Sequence, residues 1–167
     1  MTLASRGPGE VSGGFPQVVG REEVPFSFMD VEKVTFPLGS VEAGGRGEMA
    51  CSLLEAMRKF TVPVTAHLNV PTGVLGVTTP VEERGYVTNV TPPLITIVRD
   101  NKPFVYSPEL VETLVIQGEN GEGLRPILTK ARDGGATIIL TMKKGEIRGE
   151  VGRLDPSQAG GTILVSK

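Results

Sequence analysis

Apolar and polar positions change register several times along this chain, and each change marks an element. Val34, Phe36 and Leu38 share one side of a short strand that follows Asp30 and stops at Gly39. Met49, Ala50, Leu53, Leu54, Met57 and Phe60 then recur at helical spacing and predict the one long helix. Arg58 and Lys59 suit the negative C-terminal end of that helix, and Pro63 cannot continue it. Val62, Val64, Ala66, Leu68 and Val70 alternate with Thr65, His67 and Asn69, the pattern of a half-buried strand.

Short β-rich pieces follow at Gly73 to Thr79, Tyr86 to Val90, Leu94 to Arg99 and Phe104 to Tyr106. Arg99-Asp100-Asn101-Lys102-Pro103 has the turn chemistry of a hairpin, because Asp and Asn tolerate tight-turn backbones. Ser107-Pro108-Glu109 predicts one or two helical turns, with Ser as N-cap and Pro at the first helical position. Beyond it Leu110 and Leu114 fit a helix, whereas Val111, Thr113 and Val115 fit a strand. Pro126 to Lys130 reads as a short strand and Ala136 to Met142 as a stronger one. Lys143 to Glu146 turns into Ile147 to Val151 as a second hairpin. Leu154 to Gly161 is irregular, and Thr162 to Val165 is a last strand. No internal repeat is visible. The expected fold is mainly β with one α-helix (α+β), a small β-sandwich or barrel.

Residues 1–27 show neither period. They predict an extended N-terminal arm ahead of a single β-rich globular domain at 28–167. Phe15, Val18, Val19 and Val24 are the arm's obvious anchors. Lacking a periodic core face, the arm is expected to be held by its own domain or, in preference, by a neighbouring subunit, where main-chain pairing supplements those few side chains.

Composition narrows the function. The 167 residues contain 22 Gly and 13 Pro, which predicts a folded chain rich in turns. A net charge of −2 gives no basic footprint for nucleic acid. No apolar run has the length of a membrane span, and the first residues lack a secretion signal, so a soluble protein made in the cytoplasm is expected. One Cys and one His exclude an internal disulfide and an ordinary Cys/His zinc site, and no cofactor is expected.

Any imidazole mechanism has to pass through His67, and the one thiol is Cys51, inside the predicted helix. Gly44-Gly45-Arg46-Gly47 reads as a flexible loop before that helix and could offer backbone N–H groups to an anion, but it lacks the Lys-Ser/Thr of a P-loop. Glu22-Glu23, Glu82-Glu83 and the segment from Glu119 to Glu122 are acidic clusters without calcium-loop spacing, and they read as solvated charge. No catalytic residues are assigned.

The order Pro71-Thr-Gly-Val-Leu-Gly-Val77, followed by the strand and turn Leu94-Ile-Thr-Ile-Val-Arg-Asp-Asn-Lys-Pro-Phe-Val-Tyr106, resembles small β-rich decoration or cement proteins of tailed-phage capsids. The resemblance implies trimers or higher symmetric homo-oligomers docked on a shell-forming protein such as a major capsid protein, with localisation in the virion. The helix from Met49 to Phe60 and the C-terminal hairpin depart from that pattern. Other expectations are a tail-tube or ring-forming virion component, and a small-ligand binder or enzyme using Gly44 to Gly47, His67 and Cys51.

Overall fold

The computed structural model describes residues 21–92, 94–118, 123–155 and 159–166. Its strands are β1 (Arg21–Ser27), β2 (Val31–Pro37), β3 (Val64–Pro71), β4 (Thr78–Thr91), β5 (Leu94–Arg99), β6 (Lys102–Tyr106), β7 (Val111–Gln117), β8 (Thr137–Met142), β9 (Gly145–Asp155) and β10 (Gly160–Ser166). Helix α1 (Ala43–Lys59) joins β2 to β3, and α2 (Leu124–Asp133) joins β7 to β8. Single 3-10 turns, Phe28–Asp30 and Pro108–Leu110, precede β2 and β7.

The ten strands form one open antiparallel sheet in the order β1-β10-β9-β8-β2-β7-β3-β4-β5-β6. The α+β class is therefore observed, mainly β, while the strands join in one open sheet where a sandwich or barrel was expected. Leu53, Leu54 and Met57 of α1 and Ile127, Leu128 and Ala131 of α2 share one core with Val34, Phe36, Leu114, Ala66, Ile138 and Leu140 of the sheet. Alternation along β3 puts Val64, Ala66 and Leu68 into that core and turns His67 to the other face.

Several expectations change. Residues 21–27 of the expected arm are β1, paired along its whole length with β10, and Phe26 is buried there. Phe15, Val18 and Val19 lie outside the described residues; Val24 pairs with Ile163. Among the described residues two helices form where one was expected. The stretch from Pro126 to Lys130 is helical because Leu124, Ile127, Leu128 and Ala131 recur on one buried face. Gly44 to Gly47 belong to the first turns of α1, not to a loop. A Cβ on Gly47 would stand 2.9 Å from Cγ of Glu109, so glycine lets α1 approach the second 3-10 turn. Gly73 to Thr79 and Tyr86 to Val90 are not separate strands; β4 is continuous from Thr78 to Thr91. Phe60 lies at the end of α1 and is 47% exposed.

A repeat invisible in the sequence is plain in the topology. Residues 43–117 run α1-β3-β4-β5-β6-turn-β7, and residues 124–166 with 21–37 supply α2-β8-β9-β10 and β1-turn-β2 in the corresponding places. Reversing the sheet order exchanges one half for the other. The central β2–β7 pair carries the pseudo-twofold axis, since Thr35 faces its own counterpart Val115 while Lys33 faces Gln117 and Pro37 faces Thr113. The same bulge separates Val31 from Lys33 against Met142 and Thr141, and Val111 from Thr113 against Leu68 and His67. Gly85 and Gly149 occupy matching positions, where a Cβ would stand 2.2 Å from the Val98 carbonyl oxygen and 2.1 Å from that of Leu164.

Candidate functional site

Both helices lie on the core face of the sheet, so the thiol of Cys51 on α1 and the imidazole of His67 are on opposite sides of β3. They do not form a dyad. His67 Nδ1 lies 3.8 Å from Oε1 of Glu82, whose Oε2 accepts from Nε of Arg84 at 2.9 Å. This trio lies exposed to water on the open sheet face. Burial raises the Cys51 pKa, which favours the neutral thiol. Arg46, from the glycine-rich segment, donates to Oε2 of Glu112 at 2.8 Å and ties the start of α1 to β7. Among the described residues no three His, Cys, Asp or Glu side chains are placed to share a metal ion. No helix among them is long and apolar enough to cross a membrane.

Because the halves share a backbone plan, positions where their side chains differ in kind are not dictated by that plan. Glu83 is buried at 6% exposure, and the hydroxyl of Tyr106 donates to its Oε1 at 2.8 Å. The corresponding residues in the other half are Ile147 and Phe26, both apolar. Burial and the Glu83 carboxylate push the Tyr106 phenol up to about 12.

A second difference concerns the outer surface. On β1, β9 and β10 it carries the ion pairs Arg21–Glu150 at 3.0 Å and Glu23–Arg153 at 2.9 Å. Matching positions on β4, β5 and β6 carry Tyr86 in place of Glu150, Leu94 in place of Gly160 and Val105 in place of Pro25, all exposed.

A third difference is the β3–β4 hairpin. Where β8 and β9 turn through Lys143 and Lys144, β3 and β4 run on to a tip at Thr72 to Val77. Between His67 and Glu82 this hairpin has no ionisable side chain. Its tip is held by Thr72 Oγ1, which donates to the Val77 carbonyl at 3.1 Å and accepts from the Val74 amide at 3.3 Å. Gly73 and Gly76 take φ of 93° and 78°, which L residues avoid. Leu75 is fully exposed, and Val74 and Val77 are exposed beside it.

A cavity of about 580 Å³ lies between the start of α1 and the second 3-10 turn, lined by Gly47, Glu48, Cys51, Pro92, Ser107, Pro108 and Glu109. Gly47 and Cys51 were both singled out in the sequence, and this cavity brings them together without His67. The carboxylates of Glu48 and Glu109, which sequence reasoning passed over, are its charged members.

No protein-family model, no curated protein and no solved structure matches this chain.

Proposed function

We propose that this protein is a structural assembly component of the capsid decoration or cement kind, which forms a symmetric oligomer through residues 43–117 and in that form docks on a protein shell. The observation that supports this reading is the asymmetry between two halves of one plan: exposed Tyr86, Leu94 and Val105 stand where the other half has Glu150, Gly160 and Pro25. Exposing large apolar groups carries a solubility cost, and Glu150, Gly160 and Pro25 at the matching positions of the other half indicate that the backbone does not require it there. The ordered tip at Val74 to Val77 adds a preorganised apolar contact that loses little side-chain freedom on docking. In this reading Phe15, Val18 and Val19 are further contacts to a neighbouring subunit.

Light scattering across a concentration series tests the proposal on the full chain. Wild-type protein should assemble, and Tyr86→Glu, which installs the residue of the other half, should shift it to monomer with its melting temperature unchanged. A wild-type monomer at every concentration would contradict the oligomer.

A further inference from the structure

The place that Cys51 takes beside this cavity has a counterpart in the other half, and an arginine stands there. Cys51 follows core residue Ala50 on α1 as Arg125 follows core residue Leu124 on α2. The two helices are aligned by the same end contacts: Val62 donates to the Met57 carbonyl and Ala136 to the Ala131 carbonyl, each at 2.9 Å. Ser107-Pro108-Glu109 matches Ser27-Phe28-Met29 at the two 3-10 turns, and Thr91 matches Asp155 at the ends of β4 and β9. In the second half the guanidinium of Arg125 lies over the Phe28 ring at 5.2 Å and donates through Nη1 to the Asp155 carbonyl at 2.7 Å. In the first half those places hold a small thiol, a proline and the residue before Pro92, and a cavity of about 580 Å³ remains.

The geometry points to this cavity as a receptor for a guanidinium group, the arginine side chain of a partner protein. Three features of the site agree with that ligand. The same backbone frame accommodates an arginine head in the second half, which is an observation independent of the acidic lining. Two acidic residues, Glu48 and Glu109, line the cavity, and Glu109 stands where the other half has Met29. A carboxylate takes a guanidinium through paired, charge-assisted hydrogen bonds that a lysine ammonium cannot match. Pro108, at the place of Phe28, gives the cavity an apolar wall against which the aliphatic stem of an arginine can lie, without the aromatic face that Arg125 uses. This inference stands apart from the shell-docking reading, because it rests on the cavity and not on the apolar surface.

The test titrates Nα-acetyl-arginine amide into the full-length protein and follows backbone amide signals by NMR, with Nα-acetyl-lysine amide as the comparison. Saturable shifts should appear at Gly47, Glu48, Cys51, Ser107 and Glu109, with a dissociation constant on the order of 1 mM for one isolated side chain. The lysine derivative should bind at least about fivefold more weakly. Glu109→Gln should weaken arginine binding by about fivefold or more. Cys51→Arg, which installs the arginine of the other half in the cavity, should abolish it. Should that variant fail to fold, Glu48→Gln and Glu109→Gln decide alone. Absence of saturable shifts, equal binding of lysine, or full affinity in the carboxylate variants would overturn the assignment.

Discussion

Replacing Thr61 by glycine should stabilise this protein, although it deletes a side chain. Thr61 follows α1 with φ 54°, in the left-handed region, and its amide donates to the Arg58 carbonyl at 3.2 Å. At the matching end of α2 the residue is Gly135, with φ 67° and an amide donating to the Arg132 carbonyl at 3.1 Å. A left-handed conformation costs an L residue about 1 to 2 kcal/mol, and a β-branched one is a true outlier there. Glycine escapes that cost but gains about 0.4 to 1 kcal/mol of unfolded-state freedom. The Thr61 side chain is exposed, so little packing is lost. The net expectation is a gain of about 0.5 to 1 kcal/mol, which moves the melting temperature of a chain this size by roughly 1 to 4 °C. Urea unfolding of Thr61→Gly should show a higher midpoint with an unchanged slope. The reciprocal Gly135→Ala has no atom within 4 Å of the new Cβ, so its loss of about 1 kcal/mol would come from backbone strain alone. A neutral or destabilised Thr61→Gly beside an unaffected Gly135→Ala would refute the reasoning.

Further outcomes follow from the same packing. Leu53→Ala, at a fully buried position on α1, should cost about 2 to 5 kcal/mol in denaturant unfolding. Deleting residues 1–27 should lower stability markedly, because it removes the β1–β10 ladder and the buried Phe26, a side chain alone worth about 3 to 5 kcal/mol; thermal melts check this. The Tyr106 phenol, raised from 10.0 to about 12 in the fold, contributes stability that is complete below pH 10 and is lost as pH rises through about 12. Unfolding measured from pH 9 to 12 should show that alkaline loss in wild type and less of it in Tyr106→Phe.

Local chemistry was legible wherever a single residue type fixes the backbone. Asp100 and Asn101 take φ of 53° and 64° between β5 and β6, as the hairpin reading required. Pro108 opens one short 3-10 turn, after which Val111, Thr113 and Val115 follow the strand pattern rather than the helical one. β1 escaped detection because an edge strand with Glu22, Glu23 and Pro25 buries too little to show a period. The glycine-rich start of α1 has poor intrinsic helix propensity and is held instead by Arg46 against Glu112 and by contact with Glu109. The duplication was hidden because its halves keep shape but not side chains, as Cys51 against Arg125 and Glu83 against Ile147 illustrate. Ser-x-x-x-Val-Glu at Ser27 and again at Ser107 was the surviving signal. The candidate site was half visible, through Cys51 and Gly47, while its carboxylates became meaningful only beside Arg125 of the other half.

Hydroxyl-radical footprinting of the full chain at low and high concentration tests the docking account most directly, since it reads side-chain exposure residue by residue. Tyr86 and Leu75 should lose reactivity as the protein assembles, while exposed Met29 of the other half keeps its own. Unchanged reactivity at Tyr86 and Leu75 in an assembled sample, or protection confined to Met29, would contradict the account.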